Sequence, residues 1–466
     1  MKLDQHLKNK AMDIVNKKHP VVKKDPYYPV YHIAPPVGLI NDPNGWIQWK
    51  GTYHLFYQWM PFETGHGAKF WGHVSSKDLI NWKDEPIALA PSNWFDKDGC
   101  YSGSAISFED ELLLYYTGNV KNNNIRESYQ CLAVSKDGRY FEKKGVQIEV
   151  PQGYTAHFRD PKVWKEDEQF YMVIGAQNEL KEGSVVWFTS NDLKEWQFGG
   201  TLATGFGYMW ECPDFFSLNG KDILLFSPQG LSASGIHYRN IHQTGYVAGK
   251  WDKETNQFTH GEFSELDKGF EFYAPQTTLD ENGRRLLFGW MGVPDQNEQL
   301  HPTIQHGWLH QLTVPRELIL KGGHIYQKPV EELKQLRQNQ LQRLELGADD
   351  LWEGQIPRAS EFILNVRGQN SNILINLFGF LKFKYDSVQR SIQLVRPRME
   401  GTGVEERVAL IDQVSEIRCL IDHSSVEVFI NEGEIVFTSR IFADPDNYTM
   451  SLQASGELTV WELGKM

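Results

Sequence analysis

A seven-residue pattern that returns at regular intervals constrains this chain more than any other feature. Ser76-Lys77-Asp78-Leu79-Ile80-Asn81-Trp82 recurs as Ser135-Lys136-Asp137-Gly138-Arg139-Tyr140-Phe141 and again as Ser190-Asn191-Asp192-Leu193-Lys194-Glu195-Trp196, its aromatic anchors 59 and 55 residues apart. Each copy follows short aromatic and β-branched runs bounded by turn formers, such as Tyr53-His54-Leu55-Phe56-Tyr57 and Phe170-Tyr171-Met172-Val173-Ile174. Such runs read as β-strands. About four strands per unit at this period is the signature of a β-propeller. The stretch 41–320 holds about five such units and shows no long helical periodicity. A pair of β-sandwiches with chance internal similarity is the rival reading.

At 466 residues the chain exceeds one ordinary core, which points to two or three domains. Residues 1–30 read as a polar, Lys-rich N-terminal extension with a short helix from about Leu3 to Val15, and 31–328 as the five-bladed propeller. In 329–346, Leu333, Leu336, Leu341 and Leu344 fall at near-helical spacing, with no Gly or Pro from Val330 to Leu346, which predicts a linker helix. From 347 to 466 short strands and turns return, predicting a β-sandwich. The fold class expected is all-β, propeller followed by sandwich.

A net charge of −13 argues against nucleic acid or an anionic membrane as partner. The N-terminus has no signal-peptide run, and no stretch approaches the ~20 apolar residues of a membrane span. Cys100, Cys131, Cys212 and Cys419 form neither a disulfide framework nor a metal-ligand pattern. The expectation is a cytoplasmic protein that uses no metal or organic cofactor. The Asn447-Tyr448-Thr449 sequon then reads as a turn.

No phosphate-binding glycine loop, nucleophile elbow or zinc-binding His pair is present. What stands out is a set of acids at or beside prolines: Asn41-Asp42-Pro43-Asn44-Gly45, Arg159-Asp160-Pro161 and Glu211-Cys212-Pro213-Asp214. Each pattern singly is an ordinary turn. Proline drives the residue before it toward extended geometry, so Asp42 and Asp160 should be stiffly held. Innermost propeller strands face one axis, so acids on three of them converge. Retaining glycoside hydrolysis needs such convergence, with one carboxylate as nucleophile and one carboxyl as acid then base. The acid must hold its proton near neutrality. Glu211, among Tyr208, Met209, Trp210 and Cys212, suits that role, while Asp160 beside Arg159 should stay ionised.

These three blocks resemble the signature blocks of glycoside hydrolase family 32, which comprises invertases, fructanases and sucrose-6-phosphate hydrolases. The likeness continues in order through Trp71-Gly72-His73, Tyr101-Ser102-Gly103-Ser104-Ala105, Tyr273-Ala274-Pro275-Gln276, Gly289-Trp290-Met291 and Asp422-His423-Ser424-Ser425-Val426-Glu427. The resemblance implies a five-bladed propeller plus sandwich, with Asp42 as nucleophile, Glu211 as acid/base and Asp160 as transition-state stabiliser. It implies that Asn41, Gln58, Trp71, Tyr101, Ser102, Arg159 and Trp290 line a fructose pocket. The substrates implied are small sugars: sucrose, sucrose 6-phosphate or short fructo-oligosaccharides.

His66-Gly67-Ala68-Lys69-Phe70-Trp71-Gly72-His73 resembles the bacterial sucrose-6-phosphate hydrolases within that family, which makes His66 and Lys69 candidates for meeting the phosphate. A plain surface role is the alternative for Lys69. His423 and Ile40 depart from the residues commoner in relatives, Arg and Met, at the sandwich and the pocket edge respectively. Short fructans as substrate, a non-catalytic fructan-binding protein, and an arabinose-polymer glycosidase are the alternatives. The second would have lost one of the acids, and all three are present.

Overall fold

The computed structural model describes residues 2–123, 125–347, 350–368 and 371–465. Five sheets of four or five strands come first, followed by two six-stranded sheets. The five are propeller blades, each starting with an innermost strand: Gly38–Trp49, Cys100–Phe108, Tyr154–Glu166, Met209–Leu218 and Tyr273–Leu279. Successive strands of a blade are antiparallel neighbours. The short strand Trp308–Leu309 crosses back from the fifth blade to pair in parallel with Gly38 and Leu39 of the first, closing the ring.

The repeated heptapeptide is the turn between the third and fourth strands of a blade. Asp78 Oδ1 accepts the backbone N–H groups of Ile80 (3.1 Å) and Asn81 (2.8 Å). Asp137 does the same for Arg139 and Tyr140, and Asp192 for Lys194 and Glu195. These are side-chain-closed turns, which explains why Asp is the residue repeated. The aromatic anchor of each copy packs on the preceding blade. Trp82 meets Phe288, Phe141 meets Phe56, and Trp196 meets Tyr115, all edge-on with centroids 5.5–5.7 Å apart. A fourth copy escapes the sequence pattern because Lys250 replaces the Ser, yet Asp252 closes the same turn on Glu254 and Thr255.

The helix expected over Leu3–Val15 runs from Lys2 to Val22 and is tied to the first blade, with Lys8 Nζ donating to Ala88 O at 3.1 Å. The linker helix predicted for 329–346 does not form. Glu331–Leu336 is a 3-10 turn that buries Leu333 and Leu336, and Arg337–Leu346 is a strand paired with Gly456–Leu463. The i, i+3 leucines suit a single tight turn as well as a helix. Beyond them the pairing available at the sheet edge outweighs the helical propensity of a Gln-rich segment.

The two six-stranded sheets pack face to face. Phe362, Leu364, Cys419 and Val428 of one meet Ile373, Ile375, Phe383 and Leu394 of the other in a single core. Polar groups also join the sandwich to the propeller. Asp422 accepts N–H groups of Val30 (2.8 Å) and Tyr31 (3.1 Å), and Glu427 accepts from Val314 (2.8 Å) and the guanidinium of Arg316. His32 lies between the two carboxylates, at 2.8 Å from Asp422 and 3.0 Å from Glu427. His423, the departure noted above, has its Nδ1 2.8 Å from Tyr28 O, on the segment that leads into the propeller. No helix among the described residues is long and apolar enough to cross a membrane.

Candidate active site

Every innermost strand carries a register shift on residues singled out above, and the first and third carry a second one. The shared shifts lie at Asn41–Asp42, Ser102, Asp160–Pro161, Cys212–Pro213 and Ala274–Pro275. A bulge turns consecutive side chains out of strict alternation, so neighbours in sequence can both face the axis. Proline acts here differently from the expectation. Asp160 and Cys212, which precede Pro161 and Pro213, are not extended but left-handed, with φ of 69° and 49°, as is Ala274 before Pro275 at 47°. Blades three to five therefore share one device: a polar residue facing the axis, a left-handed residue, then proline. The axis-facing positions are Arg159, Glu211 and Tyr273.

Those three side chains meet. Arg159 donates to Glu211 Oε1 from Nε (3.0 Å) and Nη2 (2.7 Å), while Tyr273 OH (2.7 Å) and Gln229 Nε2 (2.8 Å) donate to Oε2. Asp42 accepts from Ser102 Oγ (2.5 Å) and Gln58 Nε2 (3.2 Å) at one oxygen and from Asn41 Nδ2 (3.1 Å) at the other. Asp160 accepts the backbone N–H of Cys212 at 2.9 Å. The Cys212 thiol lies 3.6 Å from both Asp42 and Asp160, so the two carboxylates flank one sulfur.

Charge is distributed against the expectation drawn from sequence. Burial above all raises Asp160; Arg159 opposes it, the charges of Glu211 and Asp42 add to it, and the carboxyl is pushed up to about 7. Glu211 moves the other way. Burial would raise it, but Arg159 and the Tyr273 hydroxyl prevail and hold it below the usual carboxylate range. The inversion follows from where Arg159 points, which is across to the next blade and away from its sequence neighbour. Asp42 is raised by burial and by the Glu211 charge, against the opposing bond from Ser102.

These groups line one cavity of about 490 Å³ at the propeller axis. Of the residues expected there, Asn41, Gln58, Tyr101, Arg159, Trp290, His66 and Lys69 line it with the three acids. Ser102 stands behind Asp42. Trp71 does not reach the cavity: it is fully buried, and its Nε1 donates to Tyr101 O at 3.1 Å, so it props the wall from behind. Lys69 is a buried residue, not a surface one, and burial lowers its amine to about 7. Its Nζ, Trp290 Nε1 and Asn41 Oδ1 are buried polar atoms without partners within the protein. Unpaired buried polar atoms on a cavity wall suit a hydroxyl-rich ligand. His66 is 3.1 Å from Glu298, which also meets His310 at 2.8 Å.

Gln229, His157, Arg126 and Lys121 also line the cavity and were not anticipated. Tyr273 was noted only within a longer block. Its Tyr-Ala-Pro spacing matches Arg-Asp-Pro and Glu-Cys-Pro, a signal that could have placed it. Gln229 and His157 carry no local signal. Among the described residues no group of three His, Cys, Asp or Glu is placed to hold a metal ion.

Comparison with known proteins agrees with this architecture. The family model for the glycosyl hydrolases family 32 N-terminal domain matches residues 32–329, and that for the family 32 C terminal matches 359–463. The chain is 48% identical to the sucrose-6-phosphate hydrolase of Bacillus subtilis, with 99% of each covered. It is 40% identical to the raffinose invertase of Escherichia coli, with 92% of each covered. Among solved structures, a Bombyx mori GH32 beta-fructofuranosidase aligns with a TM-score of 0.89 at 35% identity, covering 99% of both chains. Sucrose-6-phosphate hydrolase from Lactobacillus gasseri aligns with the same TM-score at 31% identity, covering 97% of this chain and 96% of that one. With matching models over both domains and relatives of this identity along its whole length, the chain belongs to glycoside hydrolase family 32.

Proposed function

We propose that the protein is a retaining β-fructofuranosidase that hydrolyses sucrose 6-phosphate and sucrose. The observation that carries this is the convergence of Asp42, Asp160 and Glu211 on one cavity, with Glu211 gripped by Arg159, Gln229 and Tyr273. A carboxylate oxygen of Asp42 attacks the anomeric carbon of the fructosyl unit as the bond to the leaving oxygen breaks, and Glu211 delivers a proton to that oxygen. Water then attacks the same carbon, gives its proton to Glu211 and frees Asp42. Two inversions at one carbon retain its configuration.

In the free site the proton that Glu211 must deliver is favoured on Asp160. Fructose hydroxyls donating to Asp160 stabilise its ionised form, and the proton shared among the acids passes to Glu211. Substrate binding thus arms the acid. Asn41, Gln58, Tyr101, Lys69 and Trp290 hold the fructosyl unit. Ser102 orients Asp42, and Trp71 supports Tyr101 from outside the cavity. His66 and Lys69, the candidates for meeting a phosphate, lie on the cavity wall beside the Glu298 and Asp42 carboxylates, a setting that disfavours a dianion. A phosphorylated sugar substrate and four unpaired cysteines, three of them buried, suit a cytoplasmic location.

The test is release of glucose or glucose 6-phosphate from sucrose, sucrose 6-phosphate and a short inulin by wild type and Asp42→Ala. Release from the first two, lost by at least about 10⁴-fold in the variant, supports the reading. Release from inulin alone makes it a fructan hydrolase, and no release from any substrate overturns it.

A further inference from the structure

We infer that Lys121 and Arg126, facing each other near the tip of the second blade's hairpin, recognise a phosphate monoester on the leaving-group sugar. This rests on the fructosidase reading above and adds the chemistry that selects among its substrates.

Strands Glu111–Asn122 and Ile125–Ser135 form the hairpin, and Lys121 pairs directly with Arg126 across it. Side chains directly opposed on a ladder share one face, where like charges repel. Burial and the Arg159 guanidinium press on Arg126 from the cavity side, against Tyr101 and Glu211, so an anion bound beside it would relieve that repulsion. Neither side chain forms an ion pair with a carboxylate among the described residues. The carboxylate beside them, Asp98, is turned to the backbone N–H of Lys121 at 2.7 Å. Both side chains nonetheless line the cavity. Local rules broken on the wall of a site mark positions shaped by a ligand.

Position within the cavity identifies which end of the substrate they meet. Arg126 Nη1 lies 3.4 Å from His157 Nδ1, and the same nitrogen lies 3.2 Å from Nη1 of Arg159. Burial and the two guanidinium groups lower His157 to about 4, so at neutral pH its Nδ1 accepts from both. Arg159 in turn holds Glu211. The cation pair is thus one imidazole removed from the guanidinium on the acid/base, the group that meets the leaving oxygen. A sugar leaving from Glu211 toward the hairpin carries its phosphate to Lys121 and Arg126. The other cationic wall is less suited to a dianion. His66 faces the Glu298 carboxylate, which burial opposes but His310 and His66 hold ionised, and Lys69 lies against the charge of Asp42.

The test compares kcat/KM for sucrose 6-phosphate and for sucrose in wild type, Lys121→Gln, Arg126→Gln and the double variant. The ratio of the two values should fall about tenfold for each single change and about a hundredfold for both, the worth of one and two charge-assisted hydrogen bonds. Raising the salt from about 50 to about 500 mM should lower the ratio in wild type and leave it level in the double variant. Glucose 6-phosphate should inhibit sucrose turnover more strongly than glucose does, and the double variant should lose that difference. Turnover of sucrose by the double variant shows that it is folded. A ratio within about twofold of wild type in such a variant overturns the proposal, as does a wild type with no preference for the phosphorylated substrate. Failure of wild type to release glucose from sucrose or glucose 6-phosphate from its phosphate overturns the fructosidase reading itself.

Discussion

Asp160→Asn should abolish turnover and at the same time make the protein more stable, with a gain that depends on pH. The Asp160 carboxyl titrates near 7 in the folded protein, against an ordinary value of 3.8. A difference of about 3 units corresponds to about 4 kcal/mol. The sign follows from proton counting. Between the two values the folded state binds the proton and the unfolded chain does not, so stability falls as pH rises through this window. Above 7 the whole cost is present, and below 3.8 it is absent. Asn is neutral throughout and escapes it. Asn also tolerates the left-handed backbone at φ 69° and can accept the Cys212 N–H that Asp160 now accepts at 2.9 Å. A gain of about 4 kcal/mol at pH 8 should shrink to about 2 kcal/mol at pH 5. For 466 residues the unfolding entropy is about 1 kcal/mol/K, so Tm should rise by about 4 °C at pH 8 and by about 2 °C at pH 5. Scanning calorimetry at both pH values and matched ionic strength measures this, with sucrose turnover followed alongside. Equal shifts at the two pH values, or a lower Tm at pH 8, would refute the charge arrangement deduced for the three acids.

Three further perturbations test other parts of the structure. Tyr273→Phe removes a donor that favours ionised Glu211, so kcat should fall by about 10–100-fold while the alkaline limb of the pH–rate profile moves upward. An unmoved limb would mean that Tyr273 does not act through Glu211. Glu427→Ala strands Arg316 and His32 in the buried junction between propeller and sandwich and should cost about 3–5 kcal/mol, lowering Tm by about 3–5 °C, with turnover at 25 °C within about threefold of wild type. Gly103→Ala would place a Cβ 2.0 Å from Tyr115 O, next to the residue that bonds Asp42. Activity should drop by at least about tenfold, and full activity would show that the second blade's bulge shifts without moving Ser102.

The propeller was legible because its repeat has a local cause. An Asp that closes a turn on two N–H groups works at any position in a sheet, so the residue recurs wherever the turn recurs, and the aromatic four residues later recurs because it seals the seam to the preceding blade. Where the same turn is made without the Ser, at Asp252, the pattern is lost although the structure is kept. The linker failed for the opposite reason. Leu333 and Leu336 satisfy a helical spacing, but whether the following residues continue a helix or join a sheet depends on Gly456–Leu463, more than a hundred residues away.

Within the site, the identities of the acids could be read from the sequence, but their charge states could not. Arg159 and Asp160 are neighbours in the chain, and a stiff extended strand would have sent them to opposite faces. The bulge at Asp160–Pro161 changes both directions, leaving Asp160 on the N–H of Cys212 and Arg159 on Glu211. A single left-handed residue thus decides which carboxylate holds the arginine and therefore which one holds the proton. The same backbone device in the fourth and fifth blades sets Glu211 and Tyr273 at matching positions. The charge pattern of the free site is accordingly a product of three bulges acting together. That is why a change confined to one of them, such as Asp160→Asn, should be felt in the protonation of its neighbours as much as in its own contacts.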